Sequence, residues 1–129
     1  MKNLLVVLFL VFSIKINAQV NYIYSDGNSN TYHISETQIN YEPVTKENSS
    51  SGTYSGGNPK TKSISQKDFE KINSLFKETI AAKAEQQQNH EMMTGLLIHK
   101  KGKKTIEQIV LKSSSQYLIK IEALLKSVL

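Results

Sequence analysis

The sequence predicts an α+β domain with two helices packed on one face of an antiparallel or mixed sheet. Three observations carry that expectation. A capped amphipathic stretch runs from Ile64 to Lys83. Strand-like pairs separated by turn residues lie on both sides of it, at 20–34 and 92–112. A second apolar stripe closes the chain from Tyr117 to Val128. The order is strands, loop, helix, hairpin, helix, with no internal repeat.

The chain opens MKNLLVVLFLVFSIKINAQ. Lys2 makes a short positive start, Leu4 to Phe12 is unbroken apolar sequence, and Ala18 is a small residue before a plausible cut. These parts make a secretory signal peptide over 1–18 and a mature domain over 19–129. The apolar run is too short to cross about 30 Å of hydrocarbon as a helix, so the mature chain is expected to have no transmembrane segment. The expected location is exported, either periplasmic or extracellular.

Export bounds the chemistry. The chain has no cysteine. That removes thiol catalysis, iron–sulfur clusters and cysteine-based zinc sites, and a small exported domain must then rely on its core alone. The formal charge of +5 falls to about +3 when Lys2 and Lys15 leave with the leader. All 16 basic residues are lysine. Lysine lacks the planar fork that reads phosphates and guanine edges, so specific nucleic-acid recognition is disfavoured.

The first strands follow from β-formers. Asn21-Tyr22-Ile23-Tyr24 and Thr31-Tyr32-His33-Ile34 flank the turn cluster Ser25 to Asn30, which predicts a hairpin. A third strand fits Gln38 to Glu42, with Ile39 and Tyr41 on one face. Pro43 ends it, because proline cannot donate to a ladder. From 44 to 60 the composition turns to serine and glycine around one large residue, Tyr54. This predicts a long exposed loop, with room for a short strand near Thr53-Tyr54, and Thr61 to Ile64 as an extended lead into the helix. Loops of this length are usually functional or disordered.

Ser65 is the natural N-cap of the helix, with Asp68 in capping-box spacing and Ile64 and Phe69 as a hydrophobic staple. Phe69, Ile72, Leu75, Phe76 and Ile80 share a face. Burying them contributes on the order of 10 kcal/mol before entropy is subtracted, so the helix needs a partner surface. The Gln86-Gln87-Gln88-Asn89 run carries no stripe and is expected to fray. Beyond it, 93–99 and 105–111 read as a hairpin around Lys100-Lys101-Gly102-Lys103-Lys104. A three-residue loop centred on Gly102 pairs Ile98 with Ile106, and a two- or four-residue loop shifts that register. Ser113 is the expected cap of the last helix, with Gln116 three residues on. Tyr117, Leu118, Ile121, Leu124, Leu125 and Val128 form its stripe, and Ile119 and Leu129 lie off it.

No catalytic, metal or cofactor set stands out. Asp26, Asn28 and Asn30 alternate like the start of a calcium loop, but Thr31 and Thr37 occupy the places that need glycine and glutamate. A hairpin turn explains the cluster better. His33, His90 and His99 have no metal-binding spacing. Ser74-Leu75-Phe76-Lys77 matches Ser-x-x-Lys without its companion motifs, and 52–56 misses the nucleophile elbow. Nothing marks a pair of carboxylates for hydrolysis.

Two surface features remain. The loop segment Ser51, Gly52, Thr53, Tyr54, Ser55 and Gly56 offers a tyrosine with small flanks, a combination suited to protein recognition. Lys100, Lys101, Lys103 and Lys104 concentrate charge at a hairpin tip that could meet anionic lipid or a cell-wall polymer. The plainer readings are a connector and a solvated tip. The expected function is a non-enzymatic exported binding domain whose partner is a protein, engaged through the loop or through a sheet edge, with an inhibitor-like domain as one version. The alternative is an envelope-associated module using the lysine tip. A small hydrolase with no visible site is the weakest reading.

Overall fold

A computed structural model describes residues 19–129 of the chain. The signal-peptide expectation falls on 1–18, outside the described residues. Strands β1 (Val20–Ser25), β2 (Thr31–Ile34), β3 (Gln38–Glu42), β4 (Lys60–Ser63), β5 (Gln86–Gln87), β6 (Gly95–Lys101) and β7 (Lys104–Leu111) form one sheet in the order β4-β3-β2-β1-β6-β7-β5. Every pairing is antiparallel. Helices α1 (Gln66–Ala81) and α2 (Gln116–Val128) cover one face, so the α+β expectation holds and the sheet is antiparallel rather than mixed.

The strand alternation sets the two faces. Tyr22 and Tyr24 of β1 point to the helix side and are fully buried. Cross-strand neighbours extend two rows across that face. One runs Tyr41, Tyr32, Tyr24, Leu97, Ile109, and the other Ile39, Ile34, Tyr22, His99, Glu107. Phe76 of α1 sits over both tyrosines of β1, at ring-centroid distances of 4.7 Å and 6.1 Å. From α2, Tyr117, Ile121, Leu125 and Val128 close the same core.

Several local expectations meet their geometry. Ser65 caps α1 by accepting from the Asp68 N–H at 3.1 Å. The innermost residues of α1 are Phe69, Ile72, Phe76 and Thr79, while Leu75 and Ile80 pack at the margin. Thr79 is tolerated in the core because its hydroxyl donates to the Leu75 carbonyl at 2.7 Å. Ile119 is 73% exposed, off the stripe as its phase requires.

Other expectations are corrected. The helix does not fray out through the glutamine run but ends earlier, at Ala81. After a 3-10 turn over Lys83–Glu85, Gln86 and Gln87 pair with Leu111 and Val110 as β5. The Gln86 side chain donates to the Thr79 and Ile80 carbonyls, capping the end of α1. No strand forms at Thr53-Tyr54, whereas the expected extended lead into α1 is present and pairs with β3 as β4. The cap of α2 is Ser115, which accepts from the Tyr117 N–H at 3.1 Å, not Ser113. Leu129 packs against the core margin rather than standing apart.

The β6–β7 turn has two residues, with Gly102 at φ 61°. Positive φ at the first turn position suits a primed turn and is cheap only for glycine. Lys100 then opposes Thr105 but His99 opposes Glu107, so Ile106 is an extra residue in a bulge. The bulge resets the alternation and places Ile109 and Leu111 under the helices.

The core tyrosines generate two predictions. Tyr22 donates its hydroxyl to Asn73, whereas the buried Tyr24 hydroxyl has no partner among the described residues. A buried polar group without a partner carries an uncompensated desolvation cost. Tyr24→Phe should therefore raise the urea-unfolding free energy by about 1 kcal/mol, and Tyr22→Phe should lower it by about the same amount. Burial, with the Glu107 charge second, pushes the Tyr22 phenol from 10.0 up to about 12. Burial pushes Tyr24 and Tyr32 up as well, with the Asp26 charge second for Tyr24 and Tyr41 second for Tyr32. The folded state thus binds these protons more tightly than the unfolded state. Their stabilisation is complete below pH 10 and is lost as pH rises through 10 towards 12 and beyond. Tyrosinate absorbance should lag in the folded protein and appear together with loss of ellipticity.

Candidate functional site

The Ser/Gly loop is anchored by residues of the β1–β2 turn. Asp26 follows β1 with both carboxylate oxygens turned inward. Its Oδ1 accepts from the backbone N–H groups of Asn28 (2.9 Å) and Asn30 (3.0 Å), and its Oδ2 accepts from Asn30 Nδ2 (3.1 Å). The carboxylate thus closes the β1–β2 turn as an Asx motif. Its oxygens are engaged by protein donors, which favours the turn explanation of the 26–30 cluster.

Asn30 is the second stage. It is 4% exposed. Its Nδ2 also donates to Tyr54 Oη at 2.9 Å, and its Oδ1 accepts from the Val44 N–H at 3.0 Å. One side chain therefore ties Val44, near the start of the loop, to Tyr54 in its interior. The Gly56 N–H donates to the Val44 carbonyl at 3.0 Å, and Tyr41 Oη donates to the Gly56 carbonyl at 2.7 Å. Gly56 is required by this closeness, since a Cβ there would lie 2.0 Å from Asn30 Oδ1 and 2.8 Å from Pro43 Cβ. Within the loop, Ser49 Oγ accepts from the Tyr54 N–H, and Ser51 Oγ and Thr53 Oγ1 share a hydrogen bond at 3.0 Å.

This clamp gives the loop a groove of about 360 Å³. One wall is the β1–β2 turn at 27–29, another is the loop from Val44 through Tyr54, and the third is Met92-Met93. Met92 is 77% exposed and Met93 56%. Met93 has φ 67°, as does Ser29 across the groove. Left-handed backbone is costly for a side chain as long as methionine, and such strain concentrates at recognition and catalytic sites. The groove lining carries no histidine, lysine or carboxylate.

The structure therefore brings Ser51 and Tyr54 to the groove, with Gly56 behind it at the clamp. Gly52, Thr53 and Ser55 are outside its lining. Tyr54 is 36% exposed, and its hydroxyl is tied to Asn30. It is partly a strut and not a free anchor. Asn30, Met92 and Met93 were missed by sequence reading. The adjacent methionines fall on no stripe, and that was the one signal available for them.

Lys100, Lys101, Lys103 and Lys104 lie elsewhere, at the β6–β7 tip. The Gly102 N–H there donates to the Gln19 carbonyl at 2.9 Å, so the tip stands beside the first described residue. Among the described residues Lys126 pairs with Glu122, and His33 Nε2 lies 3.3 Å from a Glu42 carboxylate oxygen. The tip lysines take part in neither. His99 is stacked on Tyr22 at 4.8 Å, and no group of three or more His, Asp or Glu fit to hold a metal occurs among the described residues. No helix among them is long and apolar enough to cross a membrane.

Comparison with protein-family models, with curated proteins and with solved structures finds no match to this chain.

The clamp predicts a local phenotype. Asn30→Ala removes partners from Asp26, Tyr54 and the Val44 N–H at once. Global stability should fall by about 2–3 kcal/mol. Hydrogen exchange at the Val44 and Gly56 amides should accelerate more than at the β1–β6 ladder, as expected for local opening of the loop.

Proposed function

We propose that the chain is an exported, non-enzymatic binding domain that recognises another protein through the Tyr54 loop. The observation that carries this reading is the groove between Tyr54 and the exposed Met92-Met93 pair. Methionine side chains are flexible and polarisable, and they adapt to apolar partner groups. A tyrosine fixed by its hydroxyl supplies contact area at low entropic cost. A clamped loop avoids much of the ordering penalty of association. A groove lined by amides, hydroxyls and thioethers suits binding more than hydrolysis, because it offers no acid–base pair. The Leu4 to Phe12 run behind Lys2 supports export.

The second reading is attachment of the lysine tip to anionic lipid or a cell-wall polymer. It is favoured by the absence of carboxylate partners for the four lysines among the described residues. Such attachment would weaken steeply with salt.

The test is affinity capture from envelope and culture medium with the 19–129 chain and, in parallel, with its variants. Met92→Ser with Met93→Ser should release the partner by about tenfold or more while changing stability by less than about 0.5 kcal/mol. Tyr54→Phe should weaken retention less than Tyr54→Ala, because the ring remains. A partner retained by the methionine variant but lost when the four tip lysines become serine would transfer the function to the tip.

A further inference from the structure

The sheet has one four-residue edge strand exposed along its whole length, β4. Its phase follows from a neighbouring bond. The Ile64 N–H donates to the Thr37 carbonyl at 2.9 Å, continuing the register in which Lys62 opposes Ile39 and Lys60 opposes Tyr41. In an antiparallel ladder the inward-bonding residues alternate. Lys60 and Lys62 therefore bond inward to β3, and Thr61 and Ser63 turn their N–H and C=O groups outward. The side chains of Lys60 and Lys62 fall on the helix side, in line with Tyr41 and Ile39. There, Tyr32, Tyr41, Lys60 and Lys126 line a cavity of about 410 Å³ beside the edge.

We propose that the outer edge of β4 is a strand-addition site for an acidic extended peptide segment. The segment's main chain pairs with Thr61 and Ser63. Alternate side chains fall on the helix side beside Lys60 and Lys62, where carboxylates are complementary, and one of them reaches the tyrosine-lined cavity. Main-chain pairing supplies affinity in this mode, and the alternate pockets supply selectivity. Lys126 already holds Glu122 at 3.0 Å, so Lys60 and Lys62 are the selecting charges. The same lysines oppose a second copy of the chain. Antiparallel pairing of two β4 edges would gather the lysines of both copies on one face, where like charges repel. None of the β4 residues lines the Met92-Met93 groove, so this site stands independently of the loop reading.

The test uses a fluorescein-labelled octapeptide alternating glutamate with threonine, and its glutamine counterpart, titrated against the 19–129 chain. The glutamate peptide should bind about tenfold more tightly than the glutamine peptide, and Lys60→Glu with Lys62→Glu should reverse that preference. Thr61→Pro removes an outward donor without breaking the β3 ladder and should weaken binding about fivefold to tenfold. On the wild-type chain, the Thr61 and Ser63 amides should gain exchange protection when the glutamate peptide is bound. Met93→Ser should leave peptide binding unchanged. Absence of saturable binding, or binding that leaves those two amides unprotected, overturns the proposal.

Discussion

The structure depends on burying two tyrosines of one central strand beneath one phenylalanine. β1 is fourth of the seven strands and bonds to β2 on one side and β6 on the other. Tyr22 and Tyr24 are both fully buried, and Phe76 covers both. Aromatic rings bring large area and favour tilted or edge contacts, so this trio fixes where α1 crosses the sheet. With α1 placed, Tyr32 and Tyr41 continue the aromatic row outward at centroid distances of 6.1 Å and 4.8 Å. That row reaches the β4 edge, while the opposite end of the other row reaches His99 and the β6–β7 ribbon. One burial event therefore sets the position of both sheet flanks.

Much of this was legible because it rests on local chemistry. The β2 and β3 bounds follow from runs of β-formers between turn residues, and the cap at Ser65 follows from three agreeing signals. Side chains alternating on a strand or recurring on a helix declare their face whatever lies opposite them. The misreadings have a common cause, which is that the deciding partner lies far away in sequence. Gln86-Gln87 has poor strand propensity and is a strand because Leu111 and Val110 present an open ladder. Lys60–Ser63 is a strand because β3 offers its edge. Context of that kind overrides intrinsic β-preference. Ser113 and Ser115 are both able caps, and a turn at 112–115, with the Ser115 N–H on the Lys112 carbonyl at 2.9 Å, selects the second.

The candidate site was less legible than the fold. Tyr54 was visible because it is the one large side chain in a serine- and glycine-rich stretch. Its hydrogen bond to Asn30 was not, since 24 residues separate them. Met92 and Met93 reach the groove only because β6 returns antiparallel beside β1, which sets the segment before Gly95 against the β1–β2 turn. The strongly displaced titrating groups are core tyrosines, shifted first by burial. Perturbed ionisation here reports packing rather than a reactive centre.

The β3–β4 connection is longer than the strands it joins require. β3 ends at Glu42 and β4 begins at Lys60, so residues 43–59 join two neighbouring antiparallel strands. Such neighbours need only about two to five connecting residues. The additional chain adds about 1 kcal/mol of closure entropy and also requires its own backbone to be ordered. The hydrogen bonds from Asn30, Tyr41 and Ser49 offset that cost. A connector needs no such clamp, because a loose loop would join the strands equally well. The ordering has two geometric consequences: one wall of the methionine groove, and the Gly56-Gly57-Asn58 side of the tyrosine-lined cavity beside β4. A loop held this way at a net entropic cost is better explained by the surfaces it builds than by the strands it joins.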